Sequence, residues 1–251
     1  MKNKPVLNIV HECNNYFLIN KPPNVLSQPG NVHRWIYHGI YKNQHVNTPK
    51  IVLDELKAQS NCRKSDYDNW RLIHRLDSCV SGGLLIATNK NAAKYFSRNL
   101  KEGGNKGFKI DRRYVAMVDD KKTCNHNYVN DYGIIKKMGM ISKYRRFDEK
   151  CILLELVTGQ KHQIRKHLSH VIGQPVLNDV KYGGPLIPHT DPLQIALHAA
   201  YIKTKIGLKK REHLIPMTFN NDGELWDRRY LDEQGNFIPE IQKMLLEEWE
   251  F

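Results

Sequence analysis

The sequence predicts an α+β fold, a mixed and mainly antiparallel sheet flanked by helices, in a single domain over residues 1–251. Three observations predict it. Strand-like and helix-like segments interleave without a regular βαβ rhythm. No GxGxxG turn opens a helix, as a doubly wound dinucleotide fold would require. No internal repeat, low-complexity tract or Ser/Gly linker divides the chain. At 251 residues, 40% of them apolar, the chain is long enough to build one sizeable core.

The elements follow in order. Val6–Val10 and Tyr16–Asn20 read as short strands joined by a polar turn, and Lys21-Pro22-Pro23-Asn24 ends the second in a loop. Ser27–Lys50 reads as an irregular polar loop, whereas Ile51–Ala58 places Ile51, Val52 and Leu56 at helical spacing. Trp70–Leu76 and Leu84–Thr88 are strand-like. Asn89 suits the cap of a helix over Asn91–Leu100, whose apolar face is Ala92, Tyr95, Phe96 and Leu100. Gly103–Gly107 is a flexible basic loop leading into a strand at Tyr114–Val118. Ile152–Val157 is a further strand, and His162–Val171 a helix with Ile164, Leu168 and Val171 inward. Ile195–Ile202 is a late buried strand, and Ile238–Trp249 an amphipathic helix.

The 39 lysines and arginines outnumber the 26 acidic residues by 13, a balance that favours a polyanionic partner. The cations cluster at Lys101–Arg113, Lys136–Arg146, Lys161–Lys166 and Lys203–Arg211, with Phe108, Tyr114, Tyr144 and Phe147 interleaved. A solvated basic surface without a ligand is the plainer reading of the same clusters. Five scattered cysteines with no CxxC point to free thiols and away from a structural zinc site, so no metal is expected. No apolar run approaches the ~20 residues that span a bilayer, so no membrane partner is expected. No secretory signal is visible; Met1–Val10 is basic enough for an organelle address, but a cleavable one would cut into the fold.

Chemistry concentrates in two segments. Ile73-His74-Arg75-Leu76-Asp77-Ser78-Cys79-Val80-Ser81-Gly82-Gly83 puts a carboxylate after a His-Arg pair and before a small-residue turn. About eighty residues on stands Gly159-Gln160-Lys161-His162-Gln163-Ile164-Arg165-Lys166-His167-Leu168. A lone aspartate after a strand is most often a solvated turn or cap. An aspartate in a cleft needs a positive partner, because burial alone favours its neutral form.

Together the two segments resemble the HRLDxxTSG and GRxHQIR segments of the RluA-type pseudouridine synthases, and the resemblance covers roughly residues 5 to 220. It implies a curved mixed sheet with the active site in a cleft across its middle; no separate N-terminal RNA-binding module is expected in this chain. It implies that a uridine within RNA is isomerised to pseudouridine without a cofactor. It makes Asp77 the catalytic residue, Arg165 its guanidinium partner, and Tyr114, in Arg112-Arg113-Tyr114-Val115-Ala116, the tyrosine against a flipped base. Asp77 would act as nucleophile at C1′ or as base at C2′, and the sequence leaves both routes open. The rival reading of Tyr114 is a core strand aromatic, and that of Arg165 a phosphate-binding helix residue.

RNA-binding residues are expected at His74, Arg75, Lys21, Arg113, Lys161, His162 and Ile164, with Ile164 an apolar wall for the base. Lys21-Pro22 matches the family's KPxG loop and Leu197-His198-Ala199 its late strand, both in architectural roles. Two positions depart from the pattern. Val80 replaces a threonine, losing a hydroxyl, and Gln160 replaces an arginine, losing a charge. Neither touches the three principal residues, so an active enzyme is expected. Rivals fit less well. A kinase lacks its glycine-rich loop and Asp-Phe-Gly, and a base deaminase lacks its H-x-E and P-C-x-x-C pair. An inactive RNA-binding or ribosome-assembly protein would not need a carboxylate facing RNA. Length and the Lys21–Pro29 opening most resemble family members acting on mitochondrial large-subunit ribosomal RNA, with tRNA and a cytoplasmic location as alternatives. The chain is expected to act as a monomer.

Overall fold

Where apolar residues run continuously in this chain, strands form that are buried on both faces. Tyr16–Lys21 (β2) and Ser81–Ala87 (β6) are buried at every position and pair antiparallel, Tyr16 facing Ala87 and Lys21 facing Gly82. Asn8–Glu12 (β1) covers the outer edge of β2, and Arg71–Leu72 (β5) adds to β6. Val25–Leu26 (β3) and Lys50–Ile51 (β4) form a separate parallel pair. This is a computed structural model, and it describes residues 7–29, 50–59, 67–102, 106–122, 124–125, 128, 130–217 and 225–250. Most of the loop expected at Ser27–Lys50, and the tip of the Gly103–Gly107 loop, lie outside the described residues.

The remaining strands are Lys109–Met117 (β7), Tyr132–Lys137 (β8), Met140–Arg146 (β9), Cys151–Leu156 (β10), Leu197–Ile206 (β11) and Lys209–Leu214 (β12). The main sheet runs β1-β2-β6-β11-β7-β10-β9-β8, with β12 on β11 and β5 on β6. Its one parallel pair among the described strands is β6–β11, so the mixed, mainly antiparallel α+β sheet is as expected.

That parallel crossing demands a glycine. At Gly82 φ is +112°, and a Cβ would lie 2.5 Å from the backbone of Ala199, closer than any side chain tolerates. Beside it His198 is fully buried, with Nδ1 2.9 Å from Ser81 Oγ and Nε2 3.0 Å from the Ile215 carbonyl. A carbonyl only accepts, so Nε2 donates and Nδ1 accepts the serine hydroxyl.

Four helices stand against the sheet among the described residues: Val52–Gln59 (α1), Lys90–Glu102 (α2), Gln163–His167 (α3) and Pro239–Leu246 (α4). Asn89 caps α2, its Oδ1 accepting from Ala92 N at 2.8 Å. α2 buries Ala92 and Phe96 in a small core with Tyr16, Leu18, Leu85 and Ile202, while Tyr95 stays largely exposed. The larger core lies on the other side of the sheet, around Phe17, Ile19, Leu84, Leu153 and Leu197. No helix of the described residues is long and apolar enough to cross a membrane.

Two expectations need correction. Trp70–Leu76 is a strand only at Arg71–Leu72, because the His74 ring turns inward and Nε2 takes the Leu85 N–H at 3.2 Å. The helix expected at His162–Val171 begins only at Gln163, after a left-handed His162, and passes into a π turn over Leu168–Ile172. The basic runs at Lys136–Arg146 and Lys203–Arg211 contribute to the β8–β9 and β11–β12 hairpins.

The buried imidazoles make acid stability testable. Burial pushes His198 and His167 down to about 4 from an ordinary value of 6.5. The unfolded chain therefore binds protons that the folded chain refuses between those values. Stability is complete above about pH 6.5 and falls towards pH 4, by up to about 1.4 kcal/mol per pH unit for each ring. Urea midpoints should drop clearly from pH 7 to pH 5, and equal midpoints would contradict this account.

Candidate active site

Asp77 sits on the turn that delivers the chain into β6, and the turn is pinned from three sides. Its own carbonyl accepts Val80 N at 3.1 Å, the Ser78 carbonyl accepts Asn24 N at 2.8 Å, and the Cys79 carbonyl accepts Ile195 N at 3.1 Å. Ser27 Oγ exchanges hydrogen bonds with the Leu76 backbone, at 2.7 and 3.0 Å. The carboxylate is therefore presented on a fixed backbone, with its side chain 28% exposed.

Arg165 reaches it from α3, 88 residues later, Nη1 donating to Asp77 Oδ2 at 3.0 Å. Two more of its donors are engaged on the far side. Nε and Nη2 each bond a different oxygen of buried Asp179 at 2.7 Å, a two-pronged contact that sets the plane of the group. The Tyr182 ring lies under it at 4.9 Å, an additional attraction for a cation. Burial alone would push the guanidinium pKa down, but the bond to Asp179 and the nearby carboxylates hold it above its ordinary value.

His162 completes the polar side. Its left-handed backbone, φ 56°, ends the loop before α3, and Nδ1 lies 2.8 Å from the Tyr182 hydroxyl. Burial pushes the ring down to about 4, against the upward pull of Asp77, so the imidazole is neutral near pH 7. Its Nε2 is 3.6 Å from Asp77 Oδ1, too long for a hydrogen bond and, with the ring neutral, not an ion pair. Oδ1 thus remains available to a ligand.

Asp77, His162 and Arg165 line a solvent-open cleft of about 380 Å³. Leu76, Val80, Leu156, Ile164 and Leu197 give it apolar walls, Tyr114 on β7 an aromatic one, and Gln160 and Arg75 reach it as exposed side chains. Burial raises the Tyr114 phenol above its ordinary pKa, so it is protonated at neutral pH. Such a cleft can hold a flat, uncharged ring and present one carboxylate oxygen to it. No group of three His, Cys, Asp or Glu side chains suited to a metal occurs among the described residues.

The structure thus brings Asp77, Tyr114, Arg165, His162, Ile164 and Arg75 together and leaves Lys161 exposed nearby. Three expected RNA contacts are corrected. Lys21 is fully buried, its ammonium donating to the carbonyls of Pro22, Val25 and Ser78, and burial pushes it down to about 7. It ties the Lys-Pro loop to the Asp77 turn. His74 is buried under β6 with its pKa pushed well down by burial. Arg113 is buried beneath α4, bonded to Glu155 at 2.6 Å and to the carbonyls of Leu245 and Glu247. Sequence reasoning missed Asp179 and Tyr182. Their only local signal is a turn-rich stretch, Asn178 to Pro185, which marks a loop but not its contents. Val80 packs as buried wall, where a hydroxyl would face apolar neighbours.

Residues 15–170 match the protein family described as RNA pseudouridylate synthase. The chain is 43% identical over 260 aligned residues to the 21S rRNA pseudouridine(2819) synthase of Saccharomyces cerevisiae, covering all of both chains. It is 41% identical to the enzyme of the same description from Eremothecium gossypii, covering 97% of this chain and 89% of that one. Its fold is similar to that of human RNA Pseudouridylate Synthase Domain Containing 1, with a TM-score of 0.59 at 18% identity over the full length of both.

Proposed function

The chain belongs to the RNA pseudouridylate synthase family and is an RNA-modifying isomerase, and from that premise we propose that Asp77 is its catalytic carboxylate and a uridine of mitochondrial large-subunit ribosomal RNA its substrate. The observation that carries the site assignment is the division of labour around Arg165. Asp179 takes two of its donors and Asp77 one, so Asp77 is oriented while Oδ1 faces the cleft. The RNA assignment rests on the names of the two fungal relatives, which also support a mitochondrial location. We further take residues 1–251 to act as one catalytic domain and as a monomer.

The target nucleotide leaves its stack, at a cost of a few kcal/mol, to bring its ribose and base to a carboxylate on the cleft floor. Ile164 and Tyr114 receive the uracil from its two sides. Asp77 Oδ1 acts on the ribose, the N1–C1′ bond breaks, the uracil turns in place, and C5 joins C1′. The C5 proton then has to leave. The Tyr114 phenol is protonated, so it serves as a relay that takes the C5 proton while passing its own onward. Asp77, whose charge acts on Tyr114 and whose carboxylate is free again once C5 holds C1′, accepts that proton and passes it to solvent, while N1, left anionic by the broken bond, takes one up, so that one proton moves from C5 to N1 overall.

Tyr114→Phe keeps the stacking face and removes the relay. We expect unchanged RNA affinity and a loss of turnover of about 10²–10⁴-fold, the usual worth of a positioned proton transfer. Parental turnover would reduce Tyr114 to a stacking surface. The substrate assignment is tested by carbodiimide mapping of total RNA from cells with and without the gene. One mitochondrial ribosomal uridine should lose its pseudouridine signal, and a loss confined to tRNA would overturn that part.

A further inference from the structure

Between Tyr132 and Arg146 the chain has five cations and no carboxylate. These residues are the β8–β9 hairpin, and β8 is the last strand of the sheet. The register sets Tyr132 opposite Arg145, Ile134 opposite Lys143 and Lys136 opposite Ile141, and directly opposed residues share a face. The other face is inward: Ile135, Ser142 and Tyr144 are buried there, and Ser142 Oγ bonds Gln163 and His167 on α3. On the outer face Tyr132 is 58% exposed and Ile134 39%, and Met138 at the turn is 84% exposed.

The turn itself touches the cleft. Met138 and Gly139 both have positive φ, 49° and 74°, the geometry of a tight two-residue hairpin. A Cβ on Gly139 would lie 3.5 Å from the side-chain nitrogen of Gln160, which lines the cleft. The hairpin therefore leads outward from the cleft rim. Its outer surface is stiffened by the C-terminal segment, Arg145 bonding Glu247 at 2.7 Å and Lys143 the carbonyl of Trp249.

Lysines on an edge strand commonly serve only to prevent strand pairing between molecules. That explains Lys136 but not Tyr132, Ile134 and Met138, which make an edge stickier. An exposed aromatic and a methionine beside cations, on a surface continuous with an RNA cleft, fit unpaired nucleotides: bases stack on the first and phosphates meet the second. We propose that the outer face of the β8–β9 hairpin is a second RNA-binding surface, which takes unpaired nucleotides flanking the target uridine. Tyr132 and Met138 meet bases there and Lys136 meets phosphate. The proposal rests on the reading of the cleft as a uridine site.

The test uses the full chain carrying Tyr132→Ala, Lys136→Glu and Met138→Ala together, with two RNAs: an oligonucleotide holding only the mapped uridine and its immediate neighbours, and a long ribosomal transcript. Affinity for the long transcript should fall about tenfold. The log–log salt slope should become shallower by about 0.7 for the lost phosphate contact. Turnover of the oligonucleotide should stay parental, which also shows that the variant folds. Parental affinity and slope on the long transcript would overturn the proposal. So would an equal loss on both RNAs with a lowered kcat, which would mean that the hairpin acts only by supporting α3. If the parent protein modifies neither RNA, the reading of the cleft fails instead, and the binding comparison still decides the hairpin.

Discussion

Asp77→Asn should abolish pseudouridine formation, by about 10⁴-fold or more as for other enzymes stripped of a principal reacting group, and should leave the fold intact. Both halves follow from the geometry. The amide keeps the shape of the carboxylate but cannot attack C1′ or take a proton from C2′. Removing one member of a buried ion pair ordinarily strands the other charge at a cost of about 3–5 kcal/mol. Arg165 is not stranded here, because Asp179 still holds Nε and Nη2 at 2.7 Å each. Thermal unfolding and RNA affinity should therefore match the parent while tritium release from labelled uridine disappears. Release above a trace in the purified variant, or a large drop in stability, would sink this account of the site.

Asp179→Ala should do what Asp77→Asn does not. Asp179 is 1% exposed, and its loss leaves a buried guanidinium held only by Asp77. We expect a stability loss of about 3–5 kcal/mol. Turnover should also collapse, because the freed guanidinium can take both oxygens of Asp77 and cover the one that serves the substrate. Asp179→Glu should restore much of the stability and less of the activity, since the extra methylene shifts Arg165 along its axis. Arg165→Lys is the companion experiment: a point charge cannot satisfy Asp179 on two prongs and reach Asp77 as well. Urea midpoints beside single-turnover rates separate the two effects. Unchanged stability in Asp179→Ala would show that Arg165 does not depend on it.

What was legible in the sequence was local or periodic. Asn89 caps α2 through its own third neighbour, and β2, β6 and β10 announce themselves as apolar runs. The basic hairpins were not legible, because β8 and β12 mix charged with modestly apolar residues and give no clear period. Lys21, His74 and Arg113 failed for one shared reason. Each is a polar residue for which solvent exposure is the usual expectation, and each instead finds a partner far off in the sequence: the Ser78 carbonyl, the Leu85 amide and the Leu245 carbonyl of α4. Asp179 was hidden differently. Nothing at fourteen residues from Arg165 marks a partner, and a turn-rich loop around it looks the same whether or not it carries one.

The parallel crossing at Gly82 also sets a timetable for synthesis. Ser81 and its partner His198 are 117 residues apart, so at roughly 5–20 residues per second the inner edge of β6 waits about 6–23 s for β11 to be made. During that wait β1, β2 and β6 can already form a ribbon whose inner edge, apart from the stretch that β5 takes, shows unpaired backbone N–H and C=O groups, the kind of template on which nascent chains associate. The turn carrying Asp77 lies immediately before that edge. The cleft, which Leu197 helps to line, is therefore complete only after this aggregation-prone interval, and the yield in the cell should depend on what shields that edge until then.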